Sequence, residues 1–135
     1  MRFLPVSLNA LLVELADLDQ TLALLASLQR EPLPGVLELV PAARTILVQF
    51  SPSATDTARL VRAIAARDLS QQVRRGGTLV EIPVRYDGED LAEVAQMLGI
   101  TREELVRRHT GSAYSVAFVG FAPGFAYLSG GHESL

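Results

Sequence analysis

Residues 2–30, RFLPVSLNALLVELADLDQTLALLASLQR, carry the choice of fold. Arg2–Ser7 and Ala10–Ala16 are strand-like runs separated by a tight Leu8-Asn9 turn, so they predict a hairpin. Asp17 then stands where a helix cap is needed, with Gln20 three residues on to complete a capping box. Leu18, Leu22, Leu25 and Leu28 recur on one helical face as far as Arg30, and Pro32, Pro34 and Gly35 stop the helix. Further along, Val36–Val40 and Thr45–Phe50 predict two more strands, joined by Pro41-Ala42-Ala43-Arg44. Ser51-Pro52-Ser53 opens a second helix whose apolar stripe is Leu60, Val61, Ile64 and Ala65. The order is β-β-α-β-β-α. One sheet with both helices on one face buries each stripe, which gives a two-layer α/β domain over residues 1–70.

The polar run Asp68–Thr78, with its Gly76-Gly77 pair, predicts a linker over residues 71–78. A second domain follows over residues 79–135, making the whole chain α+β. In it Leu79–Tyr86 alternates, with Val80, Ile82, Val84 and Tyr86 on one face and Pro83 favouring a sheet edge. A helix pair comes next. Leu91, Val94, Ala95 and Leu98 share a stripe ended by Gly99, and Thr101 with Glu104 forms a capping box flanked by the staple pair Ile100 and Leu105. Tyr114–Phe121 returns to strand, and Ala122-Pro123-Gly124-Phe125 has the order of a type II turn.

Composition removes whole classes of chemistry. The 135 residues are 49% apolar with a net charge of −3 spread over both halves, so a general electrostatic grip on nucleic acid is not expected. The chain contains no Cys, which excludes thiolate nucleophiles, disulfides and Cys-based zinc sites. It contains no Lys either, which excludes a Walker-type phosphate loop, Schiff-base chemistry and a biotinyl-lysine carrier. Its two His residues are few for a metal site, and none is expected. The N-terminal apolar run holds Glu14 and is followed by Asp17, unlike an export signal, and no stretch reaches membrane-spanning length. A cytoplasmic chain without membrane contact is expected.

Several motifs invite a sharp reading and a plain one. Residues 91–109 have the shape of a DNA-binding helix-turn-helix, but surrounding acidic residues favour a structural helix pair. Arg59, Arg62, Arg67, Arg74 and Arg75 form either an anion patch or, more simply, a solvated helix face. His109, after a helix and before Thr110-Gly111-Ser112, is either a general base or a helix-terminal imidazole favoured by the macrodipole. Ser129-Gly130-Gly131-His132 lacks a nucleophile elbow and reads as a loose terminus. Phe121, Phe125 and Tyr127 crowd around a stiff Pro123-Gly124 turn. Core and recognition surface explain that crowding equally well.

Residues 80–128, VEIPVRYDGEDLAEVAQMLGITREELVRRHTGSAYSVAFVGFAPGFAYL, resemble the family of 5-oxoprolinase B subunits, also described as allophanate hydrolase subunit 1 and as a sporulation-kinase inhibitor family. The specific pieces are Glu81-Ile82-Pro83-Val84 with Tyr86, His109, and above all the string GFAPGFAYL at 120–128. The resemblance implies a carboxyltransferase-type chain, with the N-terminal α/β domain followed by the beginning of a cyclophilin-like β-barrel. It implies a protein that works with the A and C subunits of 5-oxoprolinase in the ATP-dependent opening of 5-oxoproline to L-glutamate and is inactive alone. ATP and Mg would then be used by the assembled complex, with no cofactor held by this chain. The kinase-inhibitor branch implies instead binding to the dimerisation helices of a histidine kinase. On this resemblance His109 is the catalytic candidate, and Tyr114, Phe121, Pro123, Gly124, Phe125 and Tyr127 are the substrate- or partner-binding candidates. Relatives continue beyond the motif with further barrel strands, so unfinished sheet edges and self-association through them are expected.

Overall fold

A computed structural model describes residues 1–70 and 77–135. The chain divides into two compact units, Met1–Arg74 and Arg75–Leu135. Most of the expected linker, residues 71–76, lies outside the described residues.

In the first unit, β1 (Arg2–Ser7), β2 (Ala10–Glu14), β3 (Val36–Pro41) and β4 (Thr45–Phe50) form an antiparallel sheet in the order β1-β2-β4-β3. Register lines up Phe3, Val13, Ile46 and Pro41 in one row and Pro5, Leu11, Val48 and Leu39 in the next. These rows face α1 (Leu18–Arg30) and α2 (Thr57–Ala65), whose Leu24, Leu28, Leu60 and Ile64 complete the core with Leu15 and Phe50. Period-2 and period-3.6 stripes meet here, as the sequence requires. Both edge strands carry a proline, Pro5 and Pro41, which blunts the edges against further pairing.

The helix ends show local chemistry at work. The Asp17 carboxylate accepts from the Gln20 amide at 2.8 Å, but the Gln20 side chain reaches the Ala16 amide at 3.4 Å instead of the cap residue. The second helix starts later than Ser51-Pro52-Ser53. Those residues form turns closed by the Ala54 and Thr55 amides on the Ser51 carbonyl, and Asp56 is the cap, accepting from the Arg59 amide at 2.8 Å. At the far end of α2, Arg67 donates to the Glu31 carbonyl and carboxylate, both at 2.8 Å, and to Ser27. This member of the arginine group thus braces the C-terminus of α1. Arg59 pairs with Asp56, while Arg74 and Arg75 lie outside the described residues.

In the second unit, α3 (Leu91–Met97) and α4 (Arg102–Thr110) form the expected pair. Ile100 and Gly99 amides return to the Ala95 and Gln96 carbonyls, closing α3 in a Schellman motif. Thr101 caps α4 by accepting from the Glu104 amide at 3.1 Å. The reciprocal half of the box gives way to ion pairing, since the Glu104 carboxylate accepts from both Arg107 and Arg108 at 2.7 Å. After α4 come β5 (Tyr114–Val119) and β6 (Ala126–Gly130), a two-stranded antiparallel sheet with a bulge between Val116 and Phe118. Ser129-Gly130 is therefore strand rather than loose terminus, with the Ser129 hydroxyl donating to the Ser115 carbonyl at 3.4 Å.

One expected strand is not formed. Leu79–Tyr86 lies outside both sheets, and its alternating Val80, Ile82 and Val84 are all exposed. The alternation marks a segment fit for a sheet, but a strand exists only when a neighbour supplies the ladder. Among the described residues there is no closed barrel, and the unit buries only Ala95 and Leu105 of its apolar side chains.

Candidate functional site

The site candidates form two groups at opposite ends of β5. At its start, His109 in the last turn of α4 stands between two tyrosines. The Tyr86 hydroxyl lies 2.6 Å from His109 Nδ1, with the rings edge to face at 5.7 Å. On the other side the Tyr114 ring is 5.2 Å away, tilted by 39°. Gly131, at φ +97°, passes close over Tyr114, and a β-carbon there would sit 3.0 Å from the tyrosine ring. Tyr86 is not among the site candidates that the sequence supplies. Its signal is its place in the EIPV-x-Y pattern, but nothing local reveals a partner 23 residues away.

At the other end lies the aromatic hairpin. Phe118 and Tyr127 stack directly across the ladder at 4.5 Å, Tyr127 meets Phe125 edge to face at 5.2 Å, and Phe125 meets Phe121 at 5.4 Å. The loop between them is two turns deep. Phe125 N–H closes on the Ala122 carbonyl at 3.0 Å with Gly124 at φ +78°, the type II turn read from the sequence. Just before it, Ala122 N–H closes on the Gly120 carbonyl at 2.9 Å around Phe121, which holds φ +70°. That is the strained kind of γ-turn, and it ends β5 at Val119 instead of Phe121. The ring is 89% exposed, so the strained backbone angle does not serve its burial. Phe125 and Tyr127 are themselves 44% and 40% exposed.

Phe118 lies four positions beyond Tyr114 on β5, roughly 13 Å at strand rise. The imidazole group and the aromatic hairpin are therefore two places, not one pocket. The remaining motifs are absorbed locally. Arg107 and Arg108 are held by Glu104, and Arg108 also donates to Ser134 at 2.7 Å, so the helix pair has internal partners for these two cations. Those two guanidiniums draw the Glu104 carboxyl down to about 2. Among the described residues, no three His, Asp or Glu side chains come together as metal ligands, and no helix is long and apolar enough to cross a membrane.

The class is thus an α+β chain whose second unit displays an imidazole between two phenols and a strained aromatic hairpin. The chain belongs, over its whole length of residues 1–135, to the family described as carboxyltransferase domain, subdomain C and D. It is 33% identical over 122 residues to the 5-oxoprolinase B subunit of Bacillus subtilis strain 168, covering 78% of this chain and 50% of that protein. It is also 33% identical over 107 residues to the protein of the same name from Escherichia coli, covering 76% and 49%. Among solved structures, that of TTHA0988 superposes with a TM-score of 0.68 at 36% identity, covering 91% of this chain and 26% of that one. The resemblance to 5-oxoprolinase B subunits read from residues 80–128 is borne out. The chain spans about half the length of these two curated relatives.

Proposed function

We propose that the chain serves as part of a 5-oxoprolinase, taking the place of the B subunit beside the A and C subunits in the ATP-dependent hydrolysis of 5-oxoproline to L-glutamate. The observation that carries this reading is its similarity to bacterial 5-oxoprolinase B subunits along most of its length. The sequence supports a division of labour. With no Lys and no phosphate loop, this chain leaves nucleotide chemistry to a partner. What it offers is an exposed, preorganised aromatic hairpin for docking and one imidazole for polar contact. ATP and Mg are then used by the assembly in the cytoplasm.

A chimaera tests this. This chain replaces the matching half of the Bacillus subtilis B subunit, and the product is expressed with that organism's A and C subunits. ATP-dependent release of glutamate from 5-oxoproline is expected, and it should fall in the Phe125→Ala chimaera. A folded chimaera that assembles with its partners but hydrolyses nothing overturns the reading. Inhibition of a sensor histidine kinase by the same chimaera would assign the chain to regulation instead.

A further inference from the structure

We propose that the Tyr86 phenol fixes the tautomer of His109, leaving the imidazole proton on Nε2 and making His109 a hydrogen-bond donor to a carbonyl or carboxylate oxygen rather than a general base. The inference rests on reading His109 as part of the ligand-binding machinery of a 5-oxoprolinase component.

The argument begins with the 2.6 Å contact between the Tyr86 oxygen and His109 Nδ1. A neutral imidazole has one nitrogen that donates and one that accepts, and the other partner of each bond decides which is which. A phenol is a stronger acid than a neutral imidazole N–H, so in a short O···N pair the phenol donates and Nδ1 accepts. Nδ1 then carries no proton. The proton must sit on Nε2, and Nε2 has no lone pair free to take one from a substrate.

The bond is exposed, and flanking rings restrict the pair. The Tyr86 ring stands nearly perpendicular to the imidazole, at 77°, and Tyr114 flanks it at 5.2 Å. The close pass of Gly131 over Tyr114 limits that ring in turn. Tyr86 is thus a positioning residue, acting on the ligand only through His109. The ligand chemistry it selects is an oxygen acceptor. A cyclic amide with a carboxylate offers such oxygens at both its carbonyl and its acid group, and an Nε2–H favours both over an N–H donor.

The tautomer is directly readable by long-range ¹H–¹⁵N correlation of the ring nitrogens in the 135-residue chain at alkaline pH. Loss of one signal set in His109→Gln distinguishes His109 from His132, the other histidine in the chain. Wild type is expected to show a single form, with Nδ1 bare and Nε2 protonated. Tyr86→Phe removes one oxygen and should convert His109 to a mixture of tautomers while His132 stays unchanged. A proton on Nδ1, or a mixture in the wild type, overturns the proposal, as does an unchanged pattern in folded Tyr86→Phe. Should that variant unfold, the wild-type spectrum alone decides. No substrate or partner enters the measurement, so its failure is separate from failure of the hydrolysis assay.

Discussion

Phe121 and Phe125 meet edge to face at 5.4 Å across the Pro123-Gly124 turn, and Phe121 makes that contact while holding a backbone angle, φ +70°, that bulky residues avoid. The cost of a positive φ in a non-glycine residue is about 1–3 kcal/mol. Glycine, with no β-carbon, adopts a positive φ without this cost. Phe121→Gly should therefore raise the unfolding free energy of the chain by up to roughly 1 kcal/mol in a denaturant titration, once the lost ring contact and the added chain entropy are offset. A fall would show that packing of this ring outweighs the strain.

Phe125 sits at the centre of the hairpin cluster, touching both Phe121 and Tyr127. If the hairpin is a docking surface, Phe125→Ala weakens capture of the 5-oxoprolinase C subunit at least roughly tenfold, as loss of a central aromatic anchor does. The variant should remain folded at the assay temperature, by circular dichroism. If the loss of capture follows the unfolded fraction, Phe125 is a core residue and not an anchor.

Gly124 holds φ +78° at the third position of the type II turn, where a β-carbon meets no neighbour but the backbone is unsuitable for an L-residue. Gly124→Ala should cost about 1 kcal/mol, visible as a lower thermal midpoint. Crowding plays no part in this prediction, so Gly124→Asn should recover much of the loss.

Legibility in the sequence follows the range of the forces involved. Strand β4 is readable to the residue because Ile46, Val48 and Phe50 alternate with half-buried neighbours and all three enter one core. The caps at Asp17 and Thr101 are readable because a cap is settled within three residues. Asp56 escapes notice because Ser51 and Ser53 offer equally good capping chemistry nearby, and only the Ser51 turn decides between them. Leu79–Tyr86 has the right alternation, but its state depends on a neighbouring strand that no local pattern supplies. The aromatic hairpin is legible as a cluster, whereas the Phe121 angle and the Tyr86–His109 bond arise only in three dimensions.

Glu104 gives a pH test with a defined sign. Hydrogen bonds from Arg107 and Arg108 hold its carboxyl down at about 2, against an ordinary 4.5. A carboxyl lowered in the folded state contributes stability that is complete above its unfolded value and lost as pH falls through the folded one. The advantage of wild type over Glu104→Gln in helical signal and thermal midpoint should thus be full at about pH 6. It should shrink between about pH 4.5 and 2, and vanish below. A difference that persists unchanged to about pH 2 would show that Glu104 acts through its shape and not its charge.

The two units should differ in how firmly they hold their amide protons. In the first, Leu11, Val13, Ile46 and Val48 are wholly buried on the two central strands, and helices α1 and α2 close the core. Exchange there requires opening the sheet, so the amides of β2 and β4 should be the slowest in the chain, near the global unfolding limit. Among its described residues the second unit has one two-stranded ladder and buries little, while Val80, Ile82 and Val84 stand 70%, 74% and 57% exposed outside that ladder. An isolated two-stranded hairpin is marginal in water. In a monomer, residues 79–84 should exchange at nearly the rate of an unfolded peptide, whereas Tyr86 is anchored through its hydroxyl to His109, and β5–β6 should be protected only weakly. Addition of a chain that pairs with these edges, or self-association at high concentration, should slow both segments together. Strong and uniform protection from Leu79 to Leu128 in a demonstrated monomer would mean that the second unit is complete as it stands, and that its exposed alternating segment needs no partner strand.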